Sequence, residues 1–181
     1  MTRRELGCSR RPRLVVTRNF LNLVGRDEGE ATDLVSVARY AHKIGAVLYA
    51  LWGLLHIWAG SVMLMADPEK QLSLLSTAPL PDQRLPPAVR PIVHAGLSFH
   101  AYNLLWFGLF AFVVAVLLNR KNSVAGYWAN LAVVGADDVG LLVFLIIPGH
   151  LSFADAGLGP LLFSLALVFS TMGVLRGPRH R

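Results

Sequence analysis

The sequence predicts an all-α integral membrane protein, a four-transmembrane-helix antiparallel bundle with both termini inside (N-in/C-in), and three observations predict it. Hydrophobic residues make up 54% of the chain and charged residues only 15%, well off the average for soluble domains. The apolar excess is gathered into four blocks, each near or above the roughly 20 residues needed to cross a hydrocarbon core of about 30 Å. The basic residues sort by loop. Of 17 Lys and Arg, all except Lys70, Arg84 and Arg90 lie before or at the start of the first block, after the second, or after the fourth. That is the asymmetry associated with the cytoplasmic side of a membrane. It also accounts for the net charge of +6 without nucleic acid as a partner. The partner expected is the lipid bilayer, whose anionic headgroups the basic tail can touch. A multi-pass protein of the bacterial inner membrane is the localisation expected.

In chain order, residues 1–39 read as a basic cytoplasmic N-terminal tail, 40–176 as the four-helix membrane domain, and 177–181 as a short basic C-terminal tail. The tail has no apolar core of signal-peptide length. Cys8 is the only cysteine, so neither a disulfide framework nor a cysteine metal cluster is available. The first span is expected at about 44–66. The second, at about 91–118, carries Pro91 in its first turn, where proline is tolerated. The third, at about 124–147, is closed by Pro148-Gly149. The fourth, at about 157–175, stops at Arg176-Gly177-Pro178. The links 119–123 and 148–156 are short enough to make consecutive spans antiparallel neighbours. The segment 67–90 holds five prolines and cannot be one helix. A short helix over 69–76 is expected there, with Leu72, Leu74 and Leu75 resting on the bilayer, capping the bundle mouth, or belonging to a plain connecting loop. Tyr40, Tyr127 and Trp128 read as interfacial anchors, and His94 and His150 as solvated rim residues.

Ionisable side chains inside a span cost free energy unless they face the bundle interior and find partners. His56 in the first span, His100 in the second, and Asp137 with Asp138 in the third are such groups. Counted from the outer end of each span, His56, His100, Asp138 and Ser164 of the fourth span all fall about 10–15 Å deep at 1.5 Å rise per residue. Helical spacing also predicts interior stripes. These are Gly45, Tyr49, Gly53, His56 and Gly60; Gly96, His100 and Asn103; Tyr127, Asn130 and Asp137; and Ser164 with Thr171. Asp138 is turned about 100° from Asp137, toward a neighbouring helix. Two adjacent carboxylates in apolar surroundings are not expected to be both charged and unpaired.

The polar layer formed by His56, His100, Asn103, Asp137, Asp138 and Ser164 is therefore the candidate site, for ligand binding or proton relay. The first reading is a pocket for a small hydrophobic ligand or lipid, with Trp52, Trp106 and Phe107 as aromatic lining. Proton exchange by His56 or His100, with Asp137 as orienter, would make it an enzyme, but nothing in the spacing assigns catalytic roles. The alternatives are a structural or accessory subunit of a membrane complex, as a homo- or hetero-oligomer, in which these groups act as interhelical glue, and a single-haem or metal site using His56, His100 and Asp137. Transport is disfavoured by the lack of a visible repeat or broken helix.

The stretches Gly53-Leu54-Leu55-His56, Phe99-His100-Ala101-Tyr102-Asn103 and Ala136-Asp137-Asp138-Val139-Gly140 are the most distinctive of the chain. Four spans carrying intramembrane His and acidic groups resemble, in outline, DoxX-like proteins and the sterol-isomerase-related four-helix group. The resemblance is of pattern, and it implies no activity for named residues.

Overall fold

The computed structural model describes residues 18–77 and 85–176, and all regular structure in these residues is helical. The chain divides into two compact units, Met1–Ser36 and Val37–Arg181. Helix α1 runs Arg18–Leu64, α2 Pro68–Leu74, α3 Arg90–Leu117, α4 Val124–Leu141, α5 Phe153–Ala156 and α6 Leu158–Arg176. Four helical stretches are long and apolar enough to cross a membrane: Tyr40–Leu64, Arg90–Lys121, Val124–Ile146 and Leu158–Leu175. These match the expected spans to within a few residues. The segment read as an N-terminal tail is helical from Arg18 onward. Residues 1–17, with Cys8, and the C-terminal tail lie outside the described residues.

The second unit is a bundle whose helices alternate in direction, as close contacts show. A Cβ on Gly53 would stand 2.6 Å from the carbonyl oxygen of Gly108, and one on Gly60 would stand 2.7 Å from that of Ala101. Rising along α1 therefore means descending along α3, and only glycine lets the two backbones touch this closely. Tyr127 of α4 meets Thr171 of α6, while Gly135 faces Phe163, so these two are antiparallel as well. The core between the helices is formed by Tyr49, Trp52, Ala111, Ala115, Val134 and Ala166, all fully buried. Small residues on α3 and α6 pack with large aromatics of α1 in this cluster.

At the end of the bundle here termed lower, α3 passes through a short 3₁₀ turn, Asn119–Lys121, into α4. Asn122 sits in the left-handed region at φ 55°, a conformation that asparagine tolerates better than most residues. Its side-chain amide donates to the Gly173 carbonyl at 2.8 Å, which ties the turn to α6. Ser123 then caps α4 by accepting from the Gly126 N–H.

At the upper end α4 widens into a π turn, Leu142–Ile146, instead of continuing as a regular helix. The Ile147 N–H bonds back to Leu142 at 2.8 Å, and Pro148, which has no N–H to offer, ends the helix. Asp67 caps α2, the short helix expected in the proline-rich segment. Gln71 locks it down: fully buried, it donates to the Met63 carbonyl at 2.9 Å and to Ser98 at 3.3 Å. His94, read as a solvated rim residue, meets the side-chain amide oxygen of Gln71 through Nδ1 at 3.1 Å. Thr77 ties this segment to the one before α6, donating its N–H to the His150 carbonyl and accepting from the Ser152 N–H, both at 2.8 Å.

Candidate functional site

The site is built on the buried stripe of α1. Trp52 and His56 lie one turn apart and stack, with ring centroids 3.6 Å apart and planes inclined by 19°. His56 Nδ1 lies 2.9 Å from the Trp52 carbonyl oxygen. A carbonyl can only accept, so Nδ1 carries the hydrogen. This leaves Nε2 facing Asp137 Oδ2 at 3.5 Å.

Asp138 has its own partner. Trp52 Nε1 donates to its carboxylate, at 3.2 Å from one oxygen and 3.4 Å from the other. The neighbouring carboxylates thus part company: Asp137 goes to the histidine and Asp138 to the indole beneath it. Asp138 does look toward another helix, as expected, but it is the deeper of the two at 1% exposure. The buried stripe of α4 is Asn130, Val134 and Asp138 at steps of four, rather than Tyr127, Asn130 and Asp137. Asp137 lies at the edge of that stripe.

That edge borders a cavity of about 1140 Å³, at or above the roughly 300–1,000 Å³ common for small-molecule pockets. Its walls are mainly apolar, from α1, α3, α4 and the start of α6, with Leu104, Phe107, Leu141 and Phe144 among them. Leu74 and Leu75, at the end of α2, contribute to it from the upper end, so this segment caps the mouth. The polar groups in the wall are His56, His100 and Asp137, with Asp155 near the rim.

Other expected members fall elsewhere. Ser164 is exposed, and its hydroxyl is satisfied within its own helix by the Pro160 carbonyl at 2.7 Å. The buried residues of α6 include Gly159, Ala166, Ser170 and Gly173, and Ser164 stands two residues, about 200°, from Ala166. Gly96 is exposed with open space around it, because it lies well round from the buried line of Ala101, Gly108, Ala111 and Ala115. Asn103 is half-buried and outside the cavity lining. Trp106 is 50% exposed and also outside it, and Trp52 lies under the wall rather than in it.

Two residues matter that the sequence reading did not place here. Trp52 was expected only as lining, yet it carries Asp138; its signal was the four-residue spacing to His56 and an indole N–H that needs an acceptor when buried. Gly159 was not singled out. A Cβ there would lie 3.3 Å from Asp138 Oδ1, 3.3 Å from His56 Cε1 and 3.6 Å from Trp52 Nε1. The first turn of α6 therefore closes directly over the cluster. A glycine beside Pro160 in a first helical turn was the available hint.

The donor geometry bears on the metal and haem alternatives. Among the described residues, no group of three or more His, Cys, Asp or Glu side chains is spaced to hold a metal ion. His56 Nδ1 is held by the Trp52 carbonyl, and its Nε2 faces a single carboxylate, that of Asp137. No protein-family model, no curated protein and no solved structure matches this chain. The outline resemblance to DoxX-like and sterol-isomerase-related proteins thus has no match behind it.

Proposed function

We propose that this chain is a four-span membrane protein, with the lower end of the bundle and both termini on the cytoplasmic side, that binds a small hydrophobic molecule or lipid in the cavity beside His56 and Asp137. Insertion is supported by the outward faces of the helices. Trp58, Phe99, Phe144 and Ile147 are each more than 60% exposed, part of an apolar surface too extensive for a water-soluble monomer. The orientation is supported by the sorting of Lys and Arg by loop.

The observation that carries the binding reading is the combination of a large, mainly apolar cavity with only three polar side chains in its deep wall. Apolar walls supply affinity and the few polar groups orient the ligand. His100 and the His56–Asp137 pair offer both donor and acceptor capacity, which suits a neutral head such as a hydroxyl or carbonyl on an apolar body.

Native mass spectrometry of the protein released from mild detergent tests this, comparing wild type with a His56→Ala/Asp137→Ala variant. A retained mass present in wild type and lost in the variant is the expected result, and the mass difference names the ligand class. A bare chain in both would overturn the binding reading and leave the polar layer as interhelical glue in a structural or accessory subunit.

A further inference from the structure

Below the cluster the bundle holds a second set of polar side chains, independent of the cavity. Tyr49 on α1 and Asn130 on α4 are 0% exposed and Ser170 on α6 is 4% exposed. The Tyr49 hydroxyl, both amide atoms of Asn130 and the Ser170 hydroxyl are buried and make no hydrogen bond among the described residues. Their levels in the bundle agree. The Ser170 hydroxyl lies against Gly45, one turn below Tyr49, and side chains on a helix lean toward its N-terminus, which carries the Tyr49 hydroxyl down toward that glycine. Tyr127 of α4 meets Thr171 of α6, so Asn130, three residues above Tyr127, and Ser170, one residue before Thr171, differ in level along the bundle axis by about one turn, ~5 Å.

A polar atom buried without a partner has given up its bonds to water and gained nothing in exchange, so four of them together call for a partner. We infer that Tyr49, Asn130 and Ser170 form an internal hydration site that binds one or more structural water molecules between α1, α4 and α6. The chemistry selects water over an ion. Asn130 presents an unpartnered NH₂, which only donates, beside an unpartnered carbonyl oxygen, which only accepts; a cation satisfies the second and repels the first, and an anion does the reverse. Water does both, and the two hydroxyls complete the two to four partners that a buried water needs. Bound there, it extends to α1 the polar link that Tyr127 and Thr171 make between α4 and α6.

X-ray radiolytic labelling of the full chain in detergent tests the site, because hydroxyl radicals formed from a bound water oxidise the nearest side chain even where bulk solvent does not reach. Tyr49 is expected to gain oxygen, and after a brief mix with oxygen-18 water it should still carry the light isotope, whereas exposed Tyr40 should carry the heavy one. Asn130→Leu should reduce the Tyr49 label to background, with Ser170→Ala as the second variant if Asn130→Leu fails to fold. An unlabelled Tyr49 beside a labelled Tyr40 would overturn the inference. So would Tyr49 labelling that persists in a folded variant.

Discussion

Trp52 and Asp138 are 86 positions apart in the chain, yet the indole N–H of one points at the carboxylate of the other from 3.2 Å inside the bundle. This contact holds α1 and α4 in register at the floor of the cavity. Trp52→Phe should therefore be costly out of proportion to its small change in shape, because it strands a buried carboxylate. A loss of about 1–3 kcal/mol is expected. Asp138→Asn should cost less, because its side-chain oxygen still accepts. Denaturant unfolding in detergent, run as a double-variant cycle with Trp52→Phe/Asp138→Leu, checks this: the double variant should be more stable than the sum of the two singles predicts.

Gly159 offers a graded probe of the same floor. The neighbours of an added methyl would lie at 3.3 Å and beyond, so Gly159→Ala requires a shift of only a few tenths of an ångström and should fold. Gly159→Val should cost about 1–3 kcal/mol through overpacking. It should also quench or shift Trp52 fluorescence, since the branch meets the indole edge. Equal behaviour of the two variants would contradict the placement of α6.

Filling the cavity should separate binding from folding. Ala136 lines the cavity and is itself exposed, so Ala136→Trp places an indole in open space. Stability within about 0.5 kcal/mol of wild type is expected, as for substitutions outside the packed core, together with loss of the retained mass in native mass spectrometry. A ligand still retained at wild-type occupancy would place it elsewhere.

The cap should respond to acid. Arg90 Nε and Nη2 donate to the two carboxylate oxygens of Glu69 at 3.0 and 3.1 Å, and this hydrogen bonding holds the Glu69 carboxyl below its ordinary value of 4.5. A carboxylate with a lowered value contributes stability that is fully present above the ordinary value and disappears as pH falls through the lowered one. The pair is exposed, so the effect is small and screened by salt. Thermal midpoints of wild type and Glu69→Gln should differ at neutral pH in low salt. The gap should close in acid and narrow in high salt.

Much of the candidate site was legible in the chain because period and depth are local properties. His56 lay on a stripe with Gly45, Tyr49, Gly53 and Gly60, and the structure buries every one of them. The equivalent stripes on α3 and α6 could not be read in the same way. Nearly every residue there is apolar, so the pattern does not say which face turns inward, and Gly96 and Ser164 were assigned to the wrong one. Small residues marked the true inner faces: Ala101, Gly108, Ala111 and Ala115 on α3, and Gly159, Ala166 and Gly173 on α6. In a bundle of apolar helices, close approach rather than polarity decides what is inside.

The amino-acid sequence by itself determined the helical class, the four apolar stretches, their short links and the residues able to titrate among them. These follow from composition, spacing and the refusal of proline to continue a helix. Only the tertiary structure decided which carboxylate meets which partner, that Trp52 rather than a histidine carries Asp138, that Gly159 closes over the cluster, and that a cavity opens beside Asp137. Those outcomes depend on how far one helix slides and turns against another. A shift of a single residue swings a side chain by about 100°, and the shift is set by contacts between residues distant in the chain.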